Sequence, residues 1–263
     1  MKKIMAVALS VILLAACLGI AGCSGNNKPK LTVATEAGFA PYEFVYENEI
    51  VGVDIEIMKA VADKLGYELV LNDMDFKNIV ASVQSGKADC GAAGITIRPD
   101  RLESVDFSIP YATTAQYVIV TADKDIPTVE DLAGKQIGVQ EGTTSDSLIQ
   151  GLIDDKTLDG ATITTYNAPA VAAAALGKID AVVTDKLTAE NIVTASNGAY
   201  KTAEFLKADG SQAATIEEYG IAVAKGNQDL LKVVNEVVEA LLKDGSIERW
   251  TKEYTEKAKL VED

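Results

Sequence analysis

Histidine is absent from this chain of 263 residues. Its absence excludes Ser–His and Cys–His nucleophile pairs and the imidazole-based zinc and iron sites, because each needs a ring nitrogen as base or ligand. Basic residues are few: 24 Lys and Arg stand against 39 Asp and Glu, a formal net charge of −15, and no basic run exceeds a dipeptide. Nucleic-acid binding as the main activity is thereby excluded, since it rests on clustered Lys and Arg that neutralise phosphates. Cysteine is scarce. Of three in the chain only Cys90 lies beyond the N-terminal segment, so no disulfide can form inside the folded part. Flanked by Ala88, Gly91, Ala92 and Ala93, it reads as a small buried core residue rather than a nucleophile. What is abundant is apolar: 48% of residues, enough for one two-lobed or two small globular domains and too many for a disordered chain.

Long apolar runs are confined to the N-terminus. Met1-Lys2-Lys3 precedes a stretch from Ile4 to Gly22 broken only by Ser10 and Cys17. A basic start and an apolar body read as a secretory signal over residues 1–22, which carries the rest of the chain out of the cytoplasm. Ile20-Ala21-Gly22-Cys23 resembles the lipobox of bacterial lipoproteins, whose cysteine is lipidated and heads the mature chain, so Cys23 is the expected membrane anchor. Leu14-Ala15-Ala16-Cys17 resembles one too, but cleavage there would leave the apolar residues 18–22 on the mature protein, whereas residues 23–30 make a flexible polar tether. An uncleaved membrane-spanning helix is the competing reading, because about 20 apolar residues cross a bilayer core.

Beyond the tether, strands and helices alternate. Leu31 to Thr35 reads as a strand and Glu43 to Tyr46 as an edge strand. From Asp54, the spacing of Ile55, Met58, Val61, Ala62 and Leu65 predicts a helix capped by Gly66. Tyr67 to Leu71 is the next strand, a helix over about 77–85 stops at Gly86, and Asp89 to Ala93 is a short buried strand. The second half repeats the plan: a strand at Gln136 to Val139, an alanine-rich helix over 168–176, then Gly177-Lys178-Ile179-Asp180, which matches Gly86-Lys87-Ala88-Asp89 in its Gly-Lys-x-Asp opening. Gly94 and Asp185 are equivalent positions in that repeat, at the carboxyl ends of short strands where open α/β sheets bind ligands. Residues 227–243 form a helix, and a shorter one follows with Trp250 and Tyr254 as packing material. The pattern is α/β with a largely parallel sheet.

Four stretches carry a family likeness: Val33-Ala34-Thr35-Glu36-Ala37-Gly38-Phe39-Ala40-Pro41-Tyr42-Glu43-Phe44, Val51-Gly52-Val53-Asp54, Gly94-Ile95-Thr96-Ile97-Arg98-Pro99-Asp100-Arg101, and Gly138-Val139-Gln140-Glu141-Gly142-Thr143-Thr144. With Asp180 to Asp185 and Tyr219 to Ala222 they cover nearly all of residues 31–255, and in order and spacing the chain resembles the polar amino-acid binding proteins of bacterial ABC importers, solute-binding protein family 3. The resemblance implies a two-lobed periplasmic-binding-protein-like fold of type II, with residues 31–110 plus 220–255 in lobe 1, 116–214 in lobe 2, and crossings near 111–115 and 215–219. It implies a free amino acid as ligand, a membrane permease as partner, a monomer, and no cofactor.

An α-carboxylate is best held by a guanidinium fork and backbone N–H groups, because a bidentate charge-assisted pair is strong and directional. The resemblance gives that role to Arg101 with the amides of Thr96 and Thr144, the Thr96 hydroxyl helping. It gives the α-ammonium to Asp185 and the Gly94 carbonyl, the side-chain walls to Phe39 and Phe76, and the distal end to Glu36, with Gln140 standing where some relatives have lysine and Thr184 where some have histidine. On the residues alone, Arg101 also reads as a solvated helix-start arginine and Asp185 as an N-cap. The uncompensated Glu36 points to arginine or lysine before glutamine. A dehydratase on the same scaffold, with Glu36 as general acid, and a sensor domain are the other readings. Asp73-Met74-Asp75 lacks the later ligands of a calcium loop, and neither Gly134-Lys135 nor Gly142-Thr143-Thr144 has phosphate-loop spacing.

Overall fold

The computed structural model describes residues 28–214 and 216–260, so the expected signal segment, Cys17 and Cys23 lie outside the described residues. No described helix is long and apolar enough to cross a membrane.

Two five-stranded sheets are built on one plan. In the first, Glu68–Asp73, Lys30–Thr35 and Cys90–Gly91 run parallel, Ala222–Ala224 lies antiparallel beside them, and Val105–Phe107 closes the edge. In the second, Thr162–Tyr166, Gln136–Gln140 and Ala181–Asp185 run parallel, Gln116–Thr121 is antiparallel, and Tyr200–Glu204 closes the edge. The Gly-Lys-x-Asp repeat has a structural cause. Asp89 donates its N–H to the Thr32 carbonyl (2.8 Å) and accepts the Thr32 N–H on its carboxylate (2.8 Å); Asp180 does the same with Gln136 (2.8 and 2.9 Å). Each aspartate thus sets the register of its strand against the preceding one. Between the sheets the chain passes twice, through Ala112–Thr114 and Glu217–Tyr219, which pair antiparallel as a two-stranded ribbon.

The first helix among the described residues, Val53–Leu65, starts at Gly52 with φ 137°, where a Cβ would stand 2.0 Å from the Tyr42 carbonyl oxygen, and ends at Gly66 in the left-handed region. It buries Val53, Ile57, Met58 and Val61 against Gln228–Lys243 and Ser246–Ala258, the two C-terminal helices, with Trp250 packed at the margin. Truncating a fully buried isoleucine such as Ile57 to alanine costs about 2–5 kcal/mol. The second lobe has its own core of Val118, Ile137, Val139, Ile149, Val183 and Phe205. Cys90 is buried at 0% exposure in the first core, where burial pushes its thiol pKa up.

Some expectations change in detail. The helix over 77–85 opens as a tight 3-10 turn at Phe76–Asn78 before Ile79–Gln84, and the alanine-rich helix spans only Pro169–Ala174. The edge strand Glu43–Tyr46 is the middle of three, between Gly38–Phe39 and Glu49–Val51, with Glu47 and Asn48 at positive φ supplying the tight turn.

Candidate functional site

Five segments that end at the junction of the lobes assemble one small, tightly closed pocket: Phe39, Phe76, Ala93, Gly94, Thr96 and Arg101 from the first lobe, and Gln140, Thr143, Thr144 and Asp185 from the second. Gly94 sits at φ 53°, and a Cβ there would meet the Phe39 ring at 2.9 Å, so only glycine lets the chain turn beneath that ring. The Gly94 N–H donates to Asp54 Oδ2 (2.9 Å), the same oxygen that accepts the Tyr111 hydroxyl (2.7 Å). Asp54 therefore fixes the peptide that turns Gly94 into the pocket.

Arg101 lies on the one-turn helix Pro99–Leu102 and is 6% exposed. Its Nη1 donates to the Thr96 carbonyl (2.9 Å), its Nη2 to the Gly142 carbonyl across the cleft (3.1 Å), and its guanidinium carbon lies 5.2 Å from the centre of the Phe76 ring. Desolvation and the nearby Arg98 lower its pKa to about 10, which leaves it charged at neutral pH. This is a held guanidinium and not a solvated one. Asp185 is the residue before the helix Lys186–Ala195, but its side chain makes no cap bond. Its Oδ1 accepts from Gln116 Nε2 (2.6 Å) and its Oδ2 from the Tyr219 hydroxyl. Burial, then the Glu217 carboxylate, push its pKa up to about 7.

Glu36, buried at 8% exposure, does not line the pocket itself. It stands directly behind Gln140, whose Nε2 donates to Glu36 Oε2 (3.2 Å) and to the Asn167 carbonyl (2.8 Å). Burial raises the Glu36 pKa from 4.5 to about 7, with Asp73 and Asp75 adding to the rise and the Gln140 hydrogen bond opposing it. Thr184 is buried one residue before Asp185 and outside the lining, as strand alternation requires. The Thr96 hydroxyl donates to Glu217 Oε2 (2.7 Å), so its proton is not free for a ligand carboxylate. Thr144 heads the helix Thr144–Asp154, where first-turn amides lack intrahelical acceptors. Its buried hydroxyl has no partner among the described residues.

The lobes also touch around the pocket: Lys77 Nζ to Glu141 (2.7 Å), Arg98 Nη1 to the Thr143 carbonyl (3.2 Å), and Asn191 Nδ2 to the Ala40 carbonyl (3.2 Å). Sequence reasoning missed Gln116, Glu217 and Tyr219, which surround Asp185, and Asp54 and Arg98. The signal available was a polar residue inside an otherwise apolar segment, as Gln116 heads Gln116–Thr121 and Asp54 interrupts the apolar face of its helix. A wider groove beside Ala37, Phe44, Ala173 and Ile192 is lined by no charged side chain and offers a zwitterion no anchor. Among the described residues no group of three or more His, Cys, Asp and Glu side chains is placed to hold a metal ion.

A buried guanidinium and a half-buried carboxylate lining one pocket between two similar α/β lobes go with the two-lobed fold of periplasmic binding proteins. Within that class, residues 31–257 match the bacterial extracellular solute-binding proteins, family 3, and the chain belongs to that family. It is 30% identical over 256 residues to the arginine-binding extracellular protein ArtP of Bacillus subtilis, covering 93% of this chain and 96% of that one. To the L-cystine-binding protein TcyJ of Escherichia coli it is 29% identical over 234 residues, covering 87% and 84%. A solved ancestral arginine-binding protein bound to arginine aligns with a TM-score of 0.76 at 37% identity, covering 87% of this chain and 99% of that one.

Proposed function

We propose that this protein is the extracytoplasmic receptor of an amino-acid importer of the ABC class, closing its lobes over a free amino acid and presenting it to a membrane permease. The observation that carries the reading is that Arg101 and Asp185, one from each lobe, line the same small pocket. Arg101 and the Thr96 and Thr144 amides take the α-carboxylate, and the partnerless Thr144 hydroxyl is a further donor. Asp185 and the Gly94 carbonyl take the α-ammonium, while Phe39 and Phe76 form the walls. The far end meets Gln140 with Glu36 behind it. Both hydrogens of the Gln140 amide are spent on Glu36 and Asn167, so what it offers a ligand is an acceptor oxygen. An acceptor backed by a buried carboxylate suits a cationic side chain, so arginine ranks first, lysine and ornithine next, then glutamine.

Calorimetry with each amino acid tests the reading: arginine is expected to bind tightest, aspartate and glutamate not at all, and prephenate or arogenate to stay unconverted. Binding of none of them refutes it; glutamine or cystine bound in preference to arginine overturns the ranking alone. Membrane tethering through Cys23 belongs to the same proposal. Cys23→Ser is expected to release soluble protein and Cys17→Ser to leave it attached, and the opposite result assigns the anchor to Cys17.

A further inference from the structure

Where the two crossing strands meet the lobes, a buried glutamine and a buried glutamate share one chain of hydrogen bonds. Glu217 opens the strand Glu217–Tyr219 and is 6% exposed; Gln116 opens Gln116–Thr121 and is 3% exposed. The Glu217 carboxylate accepts on both oxygens, from the Thr96 hydroxyl of the first lobe (2.7 Å) and from Gln116 Nε2 of the second (2.7 Å). Gln116 keeps its amide in this sense, because turned over its Oε1, which now accepts the Ser145 hydroxyl (2.7 Å), would face the two carboxylates. That leaves its nitrogen facing two carboxylates at once, Glu217 and Asp185, the latter its cross-strand neighbour at 2.6 Å. Two residues along the Glu217 strand, Tyr219 donates to the other oxygen of Asp185.

Two carboxylates that accept from one nitrogen lie within a few ångströms of each other, where like charges repel strongly in a low-dielectric site. The one group that bridges them is a neutral amide, and the nearby cation, Arg101, acts on both from the other end of the pocket and forms no ion pair with either. Two carboxylates beside one Arg101 leave a net negative charge that favours a further cation next to Asp185, and in the function proposed above that cation is the α-ammonium of the ligand. We propose that Glu217 is a positioning residue that, through Gln116, supplies a second negative charge behind Asp185 and ties capture of the α-ammonium to the closed arrangement of the lobes. It touches no ligand. Thr96, next to Arg101, sits on the far side of Glu217, and Ser145 follows Thr144, so the chain of bonds joins the ammonium end of the pocket to its carboxylate end.

The inference rests on the amino-acid reading, and the test keeps the two apart. Glu217→Gln keeps the shape and both hydrogen-bond contacts, with the Thr96 oxygen then accepting, and removes only the charge. Affinities of wild type, Glu217→Gln, Asp185→Asn and the double variant for L-arginine and L-glutamine are measured by calorimetry at pH 8, where Asp185 is largely ionised with or without its neighbour. Glu217→Gln is expected to weaken both ligands about tenfold in the wild-type background and by less than about twofold in the Asp185→Asn background. A purely structural role would cost the same in both backgrounds, and that result overturns the proposal. As a second measurement, binding of δ-guanidinovalerate and glutaramate, which lack the α-ammonium, is expected to be equal in wild type and Glu217→Gln; an equal loss for these analogues also overturns it. Gln116→Leu, which breaks the bridge and leaves both carboxylates, is expected to repeat the selective loss. Wild type that binds no amino acid defeats the function proposed above, whereas wild-type binding with no loss in Glu217→Gln defeats only this inference.

Discussion

If the proposed site is right, Glu36 couples the choice of ligand to pH. Burial moves its pKa from 4.5 to about 7, a preference for the neutral acid of roughly 3 kcal/mol at about 1.4 kcal/mol per pH unit. A guanidinium at the distal end of the pocket favours the ionised form, so binding of arginine below neutrality has to expel a proton, whereas the neutral amide of glutamine has no such requirement. Between pH 8 and pH 6 the ionised fraction of a group with pKa near 7 falls about tenfold. The ratio of arginine to glutamine affinity is expected to fall by the same factor, with arginine strongest at the alkaline end. Asp185 also titrates near 7, but it meets the α-ammonium that both ligands share, so its contribution cancels in the ratio. Calorimetry of both ligands at pH 6, 7 and 8, in buffers of different ionisation heat, reads the ratio and the released proton together. In Glu36→Gln the ratio should lose its pH dependence, and arginine should weaken about 30-fold or more, as expected when a buried cation loses its counter-charge. A ratio that stays constant over this range, or a Glu36→Gln protein that keeps the preference for arginine, refutes the placement of Glu36 at the distal end.

Arg101→Ala and Asp185→Ala should each lose about 30-fold or more in affinity for every amino acid while thermal unfolding stays cooperative, because each strands a desolvated charge on the ligand; wild-type affinity in calorimetry removes the residue from the site. The paired crossings Ala112–Thr114 and Glu217–Tyr219 leave the lobes free to rotate as rigid bodies, so small-angle scattering should give a smaller radius of gyration with saturating ligand than without, and equal radii count against closure. Asp54 is wholly buried and its pKa rises from 3.8 to about 7, through burial and against its bonds from Tyr111 and Gly94. The native state then holds a proton that the unfolded chain has released, so stability of the ligand-free protein should fall as pH rises from 4 to 7, by about 1.4 kcal/mol per pH unit from this group. Asp54→Asn should flatten the slope in denaturant titrations at several pH values, and an unchanged slope assigns the dependence elsewhere.

What could be read from the residues and what could not divide along physical lines. Periodicity located the helix Val53–Leu65 and its Gly66 cap, because an amphipathic stripe and a left-handed terminus are local properties. The strands Thr162–Tyr166 and Tyr200–Glu204 went unread: they are partly exposed edge strands with a threonine- or lysine-bearing pattern that no single face organises. In the site, Arg101 and Asp185 were nominated through the family resemblance, for on the residues alone they also read as a solvated arginine and an N-cap; what a carboxylate and an ammonium require said only which residue types to look for. Glu217 and Gln116 could not, because their partners are each other, Thr96 and Asp185, brought together from sequence separations of 69 to 121 residues.

That difference follows from how a cleft between two lobes has to work. A group that binds ligand in only one lobe contributes affinity without closure; closure requires that the two lobes be favourable neighbours only when the ligand is between them. In this molecule the direct contacts across the cleft include hydrogen bonds from Arg98, Arg101, Gln140 and Asn191, but the charged groups on its two sides are of two kinds. Lys77 with Glu141 is an exposed ion pair, with side chains 43% and 46% accessible, and such pairs contribute at most about 1 kcal/mol. Arg101 and Glu36 are buried and Asp185 is half-buried, and none of the three has an ion-pair partner among the described residues. A closed state held weakly at its rim and electrostatically incomplete at its centre is completed by a zwitterion, and at the Glu36 end by a cation. The ligand therefore changes the balance by the free energy of the charges it neutralises. The same logic explains why Phe76 stacks on Arg101, with 5.2 Å between guanidinium carbon and ring centre, instead of standing only as a wall. The ring covers one face of the guanidinium, whose two outer nitrogens lie on the Thr96 and Gly142 carbonyls, one in each lobe, so that the cation proposed to receive the ligand carboxylate is held by both lobes at once.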